Sequence, residues 1–264
     1  MTFVVRKLES GARWIVTHYL ASPLRVYTVN EFPKSGGTWI GQLLSDALDI
    51  PFPRNTFPIF GSSILHGHYL DPRRMKNVVV VLRDGRDVMV SWYHHCMFNR
   101  EHGNSFFVDK IRHELKFGDH ADVKDNMPRF IEYSFERQKY PRFNWAKFID
   151  TWYGRSNVVF VRYEDLHRDA AEELRKIILG LTGKALAMGR AERIVDKYSF
   201  MRQAKRSAGS EERDKFLRKG IVGDWRNYFS GEARLVFHHY AGNQLLRLGY
   251  EADDTWLKGD GLSC

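Results

Sequence analysis

Apolar residues fall along this chain in two rhythms that take turns. Val26, Thr28 and the residues that flank them form a short β-rich run, Pro33 closes it, and apolar positions at helical spacing follow from Thr38. Residues 62–69 (SSILHGHY) predict a second short strand, and Asp71-Pro72 opens a short helical connection. Residues 77–82 (NVVVVL) are apolar on both faces, which marks a central strand of a covered parallel sheet. A helix from Asp84 or Arg86 to Phe98 should follow. Residues 157–163 (NVVFVRY) repeat the strand pattern. The next twenty residues repeat the helix pattern, with Leu166, Ala170, Leu174, Ile177 and Ile178 on one face. Repeated β-then-α units imply an α/β fold with a central parallel sheet flanked by helices. Between the two halves, residues 99–144 are polar and aromatic with weak periodicity, the profile of a long functional lid, a binding element or a disordered segment.

Composition narrows this picture. A chain of 264 residues can bury its core as one domain, taken as residues 1–264 with an N-terminal extension at 1–24 and a variable segment at 99–144. Lys plus Arg total 41 against 32 for Asp plus Glu, a net charge of +9, so the surface favours anionic partners. Cys96 and Cys264 lie far apart, which supports neither a disulfide framework nor a cysteine zinc site and suits a reducing, cytoplasmic compartment. The apolar run at residues 14–21 is broken by Thr17 and His18 and is too short to span a membrane. With Arg6, Lys7 and Arg13 it fits either an amphipathic surface helix or, as the preferred reading, a helix packed on the domain.

Three places then suggest anion chemistry. The order strand, glycine loop, helix at residues 26–44 turns backbone N–H groups toward a helix N-terminus, and Lys34 adds a positive charge. Its lysine precedes the glycines, so it is not a Walker A sequence. An ordinary Gly-Gly turn is the competing reading. Arg83 sits where a buried strand gives way to a helix, and Ser91 follows eight residues later; together they suit a second phosphate, or else Arg83 pairs with Asp84 or Asp87. Arg218, Lys219 and Gly220 place two cations beside a residue whose backbone can approach a ligand, although a solvated charged face would look the same.

Taken together, PKSGGTW at residues 33–39, LRDGRDVMVSWYHH at 82–95, RYEDL at 162–166 and RKGIVGDW at 218–225 resemble the cytosolic-type sulfotransferase family in order and spacing. The resemblance spans roughly residues 25–230. It implies a P-loop-like three-layer α/β domain and the donor 3′-phosphoadenosine-5′-phosphosulfate, with adenosine 3′,5′-bisphosphate as product. It implies that Lys34 binds the oxygen bridging phosphate and sulfate, and that the N–H groups of Ser35, Gly36, Gly37 and Thr38 with the Thr38 hydroxyl hold the 5′-phosphate. Trp39, Tyr163 and Phe200 would contact the adenine, core packing being the competing role for each. Arg83, Ser91, Arg218, Lys219 and Gly220 would bind the 3′-phosphate.

The resemblance also places a general base at His68, with His66 where relatives often carry lysine. Strand alternation puts both imidazoles on one face. The competing readings are one buried structural histidine beside an exposed one, and a zinc pair, which is set aside because no third ligand lies at a recognised spacing, so no metal is expected. His94-His95 and His238-His239 fall on predicted helices and read as surface or packing residues. Three departures stand out: Gly37 replaces a common threonine, the family's dimerisation motif is not matched after the GDW segment, and the segment between Ser91 and Tyr163 is long. Phe106, Phe107, Tyr133, Phe135, Tyr140 and Phe143 in that segment are candidates for an apolar acceptor site, or for ordinary packing.

The reading is a sulfotransferase acting on a hydroxyl, less often an amine, of a small or lipid-like molecule, with no nucleic-acid partner, no transmembrane segment and an open oligomeric state. The alternatives are a kinase-like P-loop enzyme using ATP and a non-catalytic nucleotide- or nucleic-acid-binding protein.

Overall fold

In the computed structural model, residues 3–54, 56–101, 104–137 and 141–258 are described. Tyr140 and Cys264 lie outside them. Backbone contacts divide the chain into two compact units, Met1–Arg83 with Thr151–Gln203 and Asp84–Asp150 with Ala204–Cys264.

The first unit is built on four parallel strands in the order β2-β1-β3-β4. They are β1 (Val26–Glu31), β2 (Ser63–Gly67), β3 (Val78–Leu82) and β4 (Val159–Arg162). Val26 is opposite Ser63, Thr28 opposite Val78, and Val79 opposite Val159. The valine run of β3 is buried throughout, as a strand covered on both faces requires. β4 is shorter than the sequence suggests and lies at the end of the sheet, because Tyr163 already starts a helix.

Helix α1 (Phe3–Ile15) leads through a π-helical turn (Val16–Leu20) into β1. Arg13, a surface cation only on the less favoured surface-helix reading, is buried. It donates to the carbonyls of His66 at 2.6 Å and Thr56 at 3.1 Å, which anchors the helix to the end of β2. After β1 comes α2 (Gly37–Leu48). The connection at Asp71-Pro72 is a turn closed by Met75 N–H to the Pro72 carbonyl at 3.3 Å, not a helix, because residues 72–77 are too few to build one before β3 begins.

One face of the sheet packs Val29, Val79, Val81 and Val161 against Ile40, Leu43 and Leu44 of α2. Leu166, Leu174, Ile177 and Ile178 of a later helix, Tyr163–Thr182, join this core together with Ala191 and Ile194 of the helix Met188–Lys197. The apolar face read from the sequence, including Ala170, is the buried one. Emptying a site such as Leu44 would cost about 2–5 kcal/mol.

The second unit is helical. Its members include α3 (Gly85–Met97), α4 (Ser105–Leu115) and α5 (Val123–Glu136). The residues 99–144 expected as a loop therefore hold two helices, each with a short buried stripe: Val108, Ile111 and Leu115 in α4, and Val123, Met127, Phe130 and Ile131 in α5. Continuing the chain order, α6 is Trp145–Trp152, α7 Tyr163–Thr182, α8 Met188–Lys197, α9 Phe200–Ala204 and α10 Gly231–Leu248. Trp145 and Phe237 of α10 pack 5.9 Å apart, and a Cβ at Gly85 would meet both at 2.7 Å, so α3 can begin there only with glycine. Among the described residues no helix is long and apolar enough to cross a membrane.

Candidate active site

The first unit gathers its chemistry at the carboxyl ends of β1, β2 and β3. Beyond β1, Lys34 adopts a left-handed backbone (φ 75°) and Gly36 caps α2 at φ 106°. A Cβ at Gly36 would lie 2.6 Å from the Tyr163 ring, so glycine is needed both for the turn and for the ring beneath it. Two of the four loop amides are committed within the protein: Ser35 N–H donates to the Phe32 carbonyl at 3.2 Å, and Gly37 N–H donates to Glu31 Oε2 at 2.6 Å.

Arg83 follows β3, is buried, donates to the Lys34 carbonyl at 2.9 Å and lies 4.2 Å over the Tyr163 ring. The arginine thus braces the loop from below. The two neighbouring acids also make contacts within the second unit. Asp84 pairs with Arg86 at 2.8 Å, and Asp87 accepts from Gly223 N–H at 2.7 Å and Trp225 N–H at 2.9 Å. Trp39, Tyr163 and His167 form an aromatic group, with ring centres 6.4 Å apart for Trp39–Tyr163 and 4.6 Å for Tyr163–His167. Among the described residues the Trp39 Nε1 has no protein partner. Burial, then the nearby Arg83, lower the His167 pKa to about 4. Phe200 is half-buried at the start of α9.

At the end of β2, His66 and His68 approach each other with ring centres 5.0 Å apart, as their alternation suggested. His66 Nε2 is 2.9 Å from Glu31 Oε1, and His68 Nδ1 is 2.9 Å from the Glu31 carbonyl oxygen. A carbonyl only accepts, so His68 carries its proton on Nδ1 and leaves Nε2 as a lone pair. Part of His68 stays exposed, while desolvation on its packed side and then the neighbouring His66 lower its pKa from 6.5 to about 4. At neutral pH it is an unprotonated imidazole. The Glu31 pKa is lowered: burial works to raise it, and the hydrogen bond and charge of His66 outweigh that. Glu31 also brings its carboxylate within 4.8 Å of both histidine nitrogens, the third partner missing from the sequence reading. Its two oxygens are taken by Gly37 and His66, so the group is a hydrogen-bonded cluster.

The second unit holds the remaining predicted residues. Ser91 is half-buried on α3. Arg218 pairs with Glu211 and, at 2.6 Å, with Asp224; Lys219 pairs with Asp224 at 2.7 Å; Gly220 has φ 64°. Far from a solvated charged face, the two cations are held in a network whose acids sequence reading passed over. Asp224 sits in the GDW segment, the one signal that could have found it. The aromatic candidates of residues 99–144 divide: Phe135 and Phe143 are core, Tyr133 donates to Glu114 at 2.6 Å, Phe107 is half-buried, and Phe106 is 81 % exposed.

A sulfotransferase domain model matches residues 65–249, a stretch that contains His68, Arg83, Ser91, Tyr163 and Arg218 and begins after the glycine loop. The chain belongs to the sulfotransferase family. It is an enzyme of sulfuryl transfer from 3′-phosphoadenosine-5′-phosphosulfate. Sulfotransferase 1E1 of Rattus norvegicus is 25% identical over 79% of this chain and 80% of its own length. An amine sulfotransferase of Oryctolagus cuniculus is 26% identical over 76% of this chain and 74% of its own length. Among solved structures, a mouse sulfotransferase, SULT7A1, complexed with PAP, superposes with a TM-score of 0.62 at 18% identity, covering 88% of this chain and 86% of the other. That likeness supports the P-loop-like α/β fold of this sulfotransferase.

Proposed function

We propose that this sulfotransferase moves the sulfuryl group to a hydroxyl, less often an amine, of a small or lipid-like acceptor, with His68 as general base and Lys34 at the leaving oxygen. The observation that carries the reading is the hydrogen bond of His68: Nδ1–H donates to the Glu31 carbonyl, so the Nε2 lone pair is left to accept a proton.

The residues present fit an anionic donor. Lys34 and Gly36 hold a left-handed turn ahead of a helix of 12 residues, whose N-terminus favours negative charge. With the Ser35 and Gly37 amides engaged elsewhere, Gly36 and Thr38 supply the amide part of the cradle, and the Thr38 hydroxyl adds a donor. Trp39, with its free indole N–H, and Tyr163 flank the place for an adenine, and Phe200 is assigned there with them. Arg83 in the first unit, and Ser91, Arg218, Lys219 and Gly220 in the second, are assigned to the 3′-phosphate; each set is cationic in its own right.

The donor supplies an activated sulfuryl group on its phosphate. His68 Nε2 takes the acceptor proton as the acceptor oxygen bonds to sulfur, and the bond from sulfur to the 5′-phosphate oxygen breaks. Lys34 stabilises the negative charge that grows on that oxygen. The charge balance on the chain is one proton gained by His68, returned to solvent before the next turnover. The cytosol is the proposed place of action.

His68→Ala tests the base. Turnover measured with labelled donor should fall by about 10²–10⁴, while calorimetric binding of adenosine 3′,5′-bisphosphate stays within a few-fold. Turnover retained in the variant would overturn the assignment.

A further inference from the structure

Glu31 joins three parts of the first unit. It ends β1 at 4 % exposure, and its oxygens accept from three groups: Oε2 from Gly37 N–H, Oε1 from His66 Nε2, and the main-chain oxygen from His68 Nδ1. A buried carboxylate hydrogen-bonded to an imidazole fixes the tautomer and the ring plane of that imidazole. Here the ring so fixed, His66, stands edge-on to His68. We propose that Glu31 and His66 are a pair of positioning residues for the sulfotransferase reaction: the Glu31 main chain holds His68 in its proton-accepting tautomer, and the Glu31 carboxylate with the His66 ring sets the charge beside it.

Space around Gly37 supports the pairing. A Cβ there would lie 2.7 Å from His66 Nε2 and 2.8 Å from Glu31 Cδ, so the pair can form only if residue 37 is glycine. The arrangement therefore involves three sequence positions that depend on one another: a carboxylate at 31, a glycine at 37 and an imidazole at 66. It also diverts one N–H of the phosphate loop to an internal anion.

The charges facing this group come from four elements. Glu31 is on β1, His66 on β2, Arg13 on α1 with its guanidinium 2.6 Å from the His66 carbonyl, and Arg54 follows α2 within the field of Glu31. For His68, desolvation acts first and lowers its proton affinity, His66 lowers it further, the Glu31 charge and its hydrogen bond raise it, and Arg13 lowers it slightly. The charges of the two members thus act on His68 in opposite directions.

The inference rests on reading His68 as the base, and its test separates the two. Histidine-labelled full-length protein is titrated by NMR, with the His68 signal assigned by its loss in His68→Gln, and kcat/KM is followed against pH in parallel. In His66→Gln the His68 midpoint should rise by about one pH unit, and the acid limb of kcat/KM should rise with it. In Glu31→Gln His68 should stay neutral to lower pH than in the wild type, and Glu31→Asp, which keeps the charge, should restore the wild-type midpoint. Midpoints that do not move, or that move in one direction in both variants, overturn the proposal, and His66→Gln alone decides it if Glu31→Gln does not fold. If the NMR shifts appear but the acid limb does not follow them, the pair stands and the base is not His68.

Discussion

The backbone N–H of Gly37 lies 2.6 Å from Glu31 Oε2, so the first amide of α2 is given to a buried carboxylate at the end of β1. This hydrogen bond ties the glycine loop to the strand that precedes it. It also explains why residue 37 has no side chain, since a Cβ would enter the contact between Glu31 and His66.

Gly37→Ala should therefore cost about 1–3 kcal/mol in urea unfolding, the usual penalty for inserting a methyl group where atoms already touch. Part of that cost should vanish in a His66→Ala background, which removes the Nε2 at 2.7 Å and leaves Glu31 Cδ at 2.8 Å. Equal costs in the two backgrounds would place the clash on Glu31 or in the backbone and not on His66.

Lys34 is held at φ 75° with its carbonyl tied to Arg83 at 2.9 Å, so its side chain leaves the loop in a fixed direction. An interaction that grows as charge develops on the leaving oxygen acts on kcat more than on ground-state binding. Lys34→Ala should lower kcat by about 10²–10³ while the bisphosphate affinity changes by less than tenfold. A large affinity loss with unchanged kcat would place the lysine on a ground-state phosphate instead.

Much of the first unit was legible from residue types. The valine run of β3 and the stripe from Leu166 to Ile178 on α7 are periodic because burial on one or both faces demands it. The helices of the second unit were harder to see. Val108, Ile111 and Leu115 do follow helical spacing, as do Val123, Met127 and Phe130, but each stripe is short, Gly118 separates them and Pro128 interrupts the second. The histidines were found by motif, whereas Glu31 was not, because its partners at 37 and 66 meet it only once parallel pairing of β1 with β2 sets Val29 beside His66. The partners of Arg13 were out of sight for the same reason: they lie 40 and more residues away.

In the second unit Arg218 is shared between Glu211 and Asp224, and burial, working to lower its pKa, is outweighed by the two acids, which raise it. Asp224 is nearly buried and also holds Lys219, whereas Glu211 is more exposed and is the more easily displaced of the two. On the proposed assignment of Arg218 to the 3′-phosphate, the phosphate competes with Glu211 for the guanidinium. Glu211→Gln should therefore tighten bisphosphate binding by about 3–10-fold at low salt, with the gain shrinking as salt is raised. Calorimetry at two ionic strengths checks this; weaker binding in the variant would mean that Glu211 holds Arg218 in its working place.

His94 lies on α3 with its side chain 2 % exposed, 3.8 Å from Glu211 and edge-on to Tyr228 at 5.8 Å. Burial first, then the positive charge of Arg218, lower its pKa from 6.5 to about 3. A base whose folded pKa is depressed stays neutral in the native protein while it takes up a proton on unfolding. The unfolded state therefore binds more protons between pH 6.5 and about 3, so stability falls as the pH drops through that window, by at most about 1.4 kcal/mol per pH unit from this group. Above pH 6.5 it contributes no slope. His94→Gln removes the titrating group, so the variant's urea midpoint should fall less than the wild type's between pH 7 and pH 5. Parallel slopes in the two proteins would show that the acid loss in this range comes from the other depressed imidazoles, His68 and His167, instead.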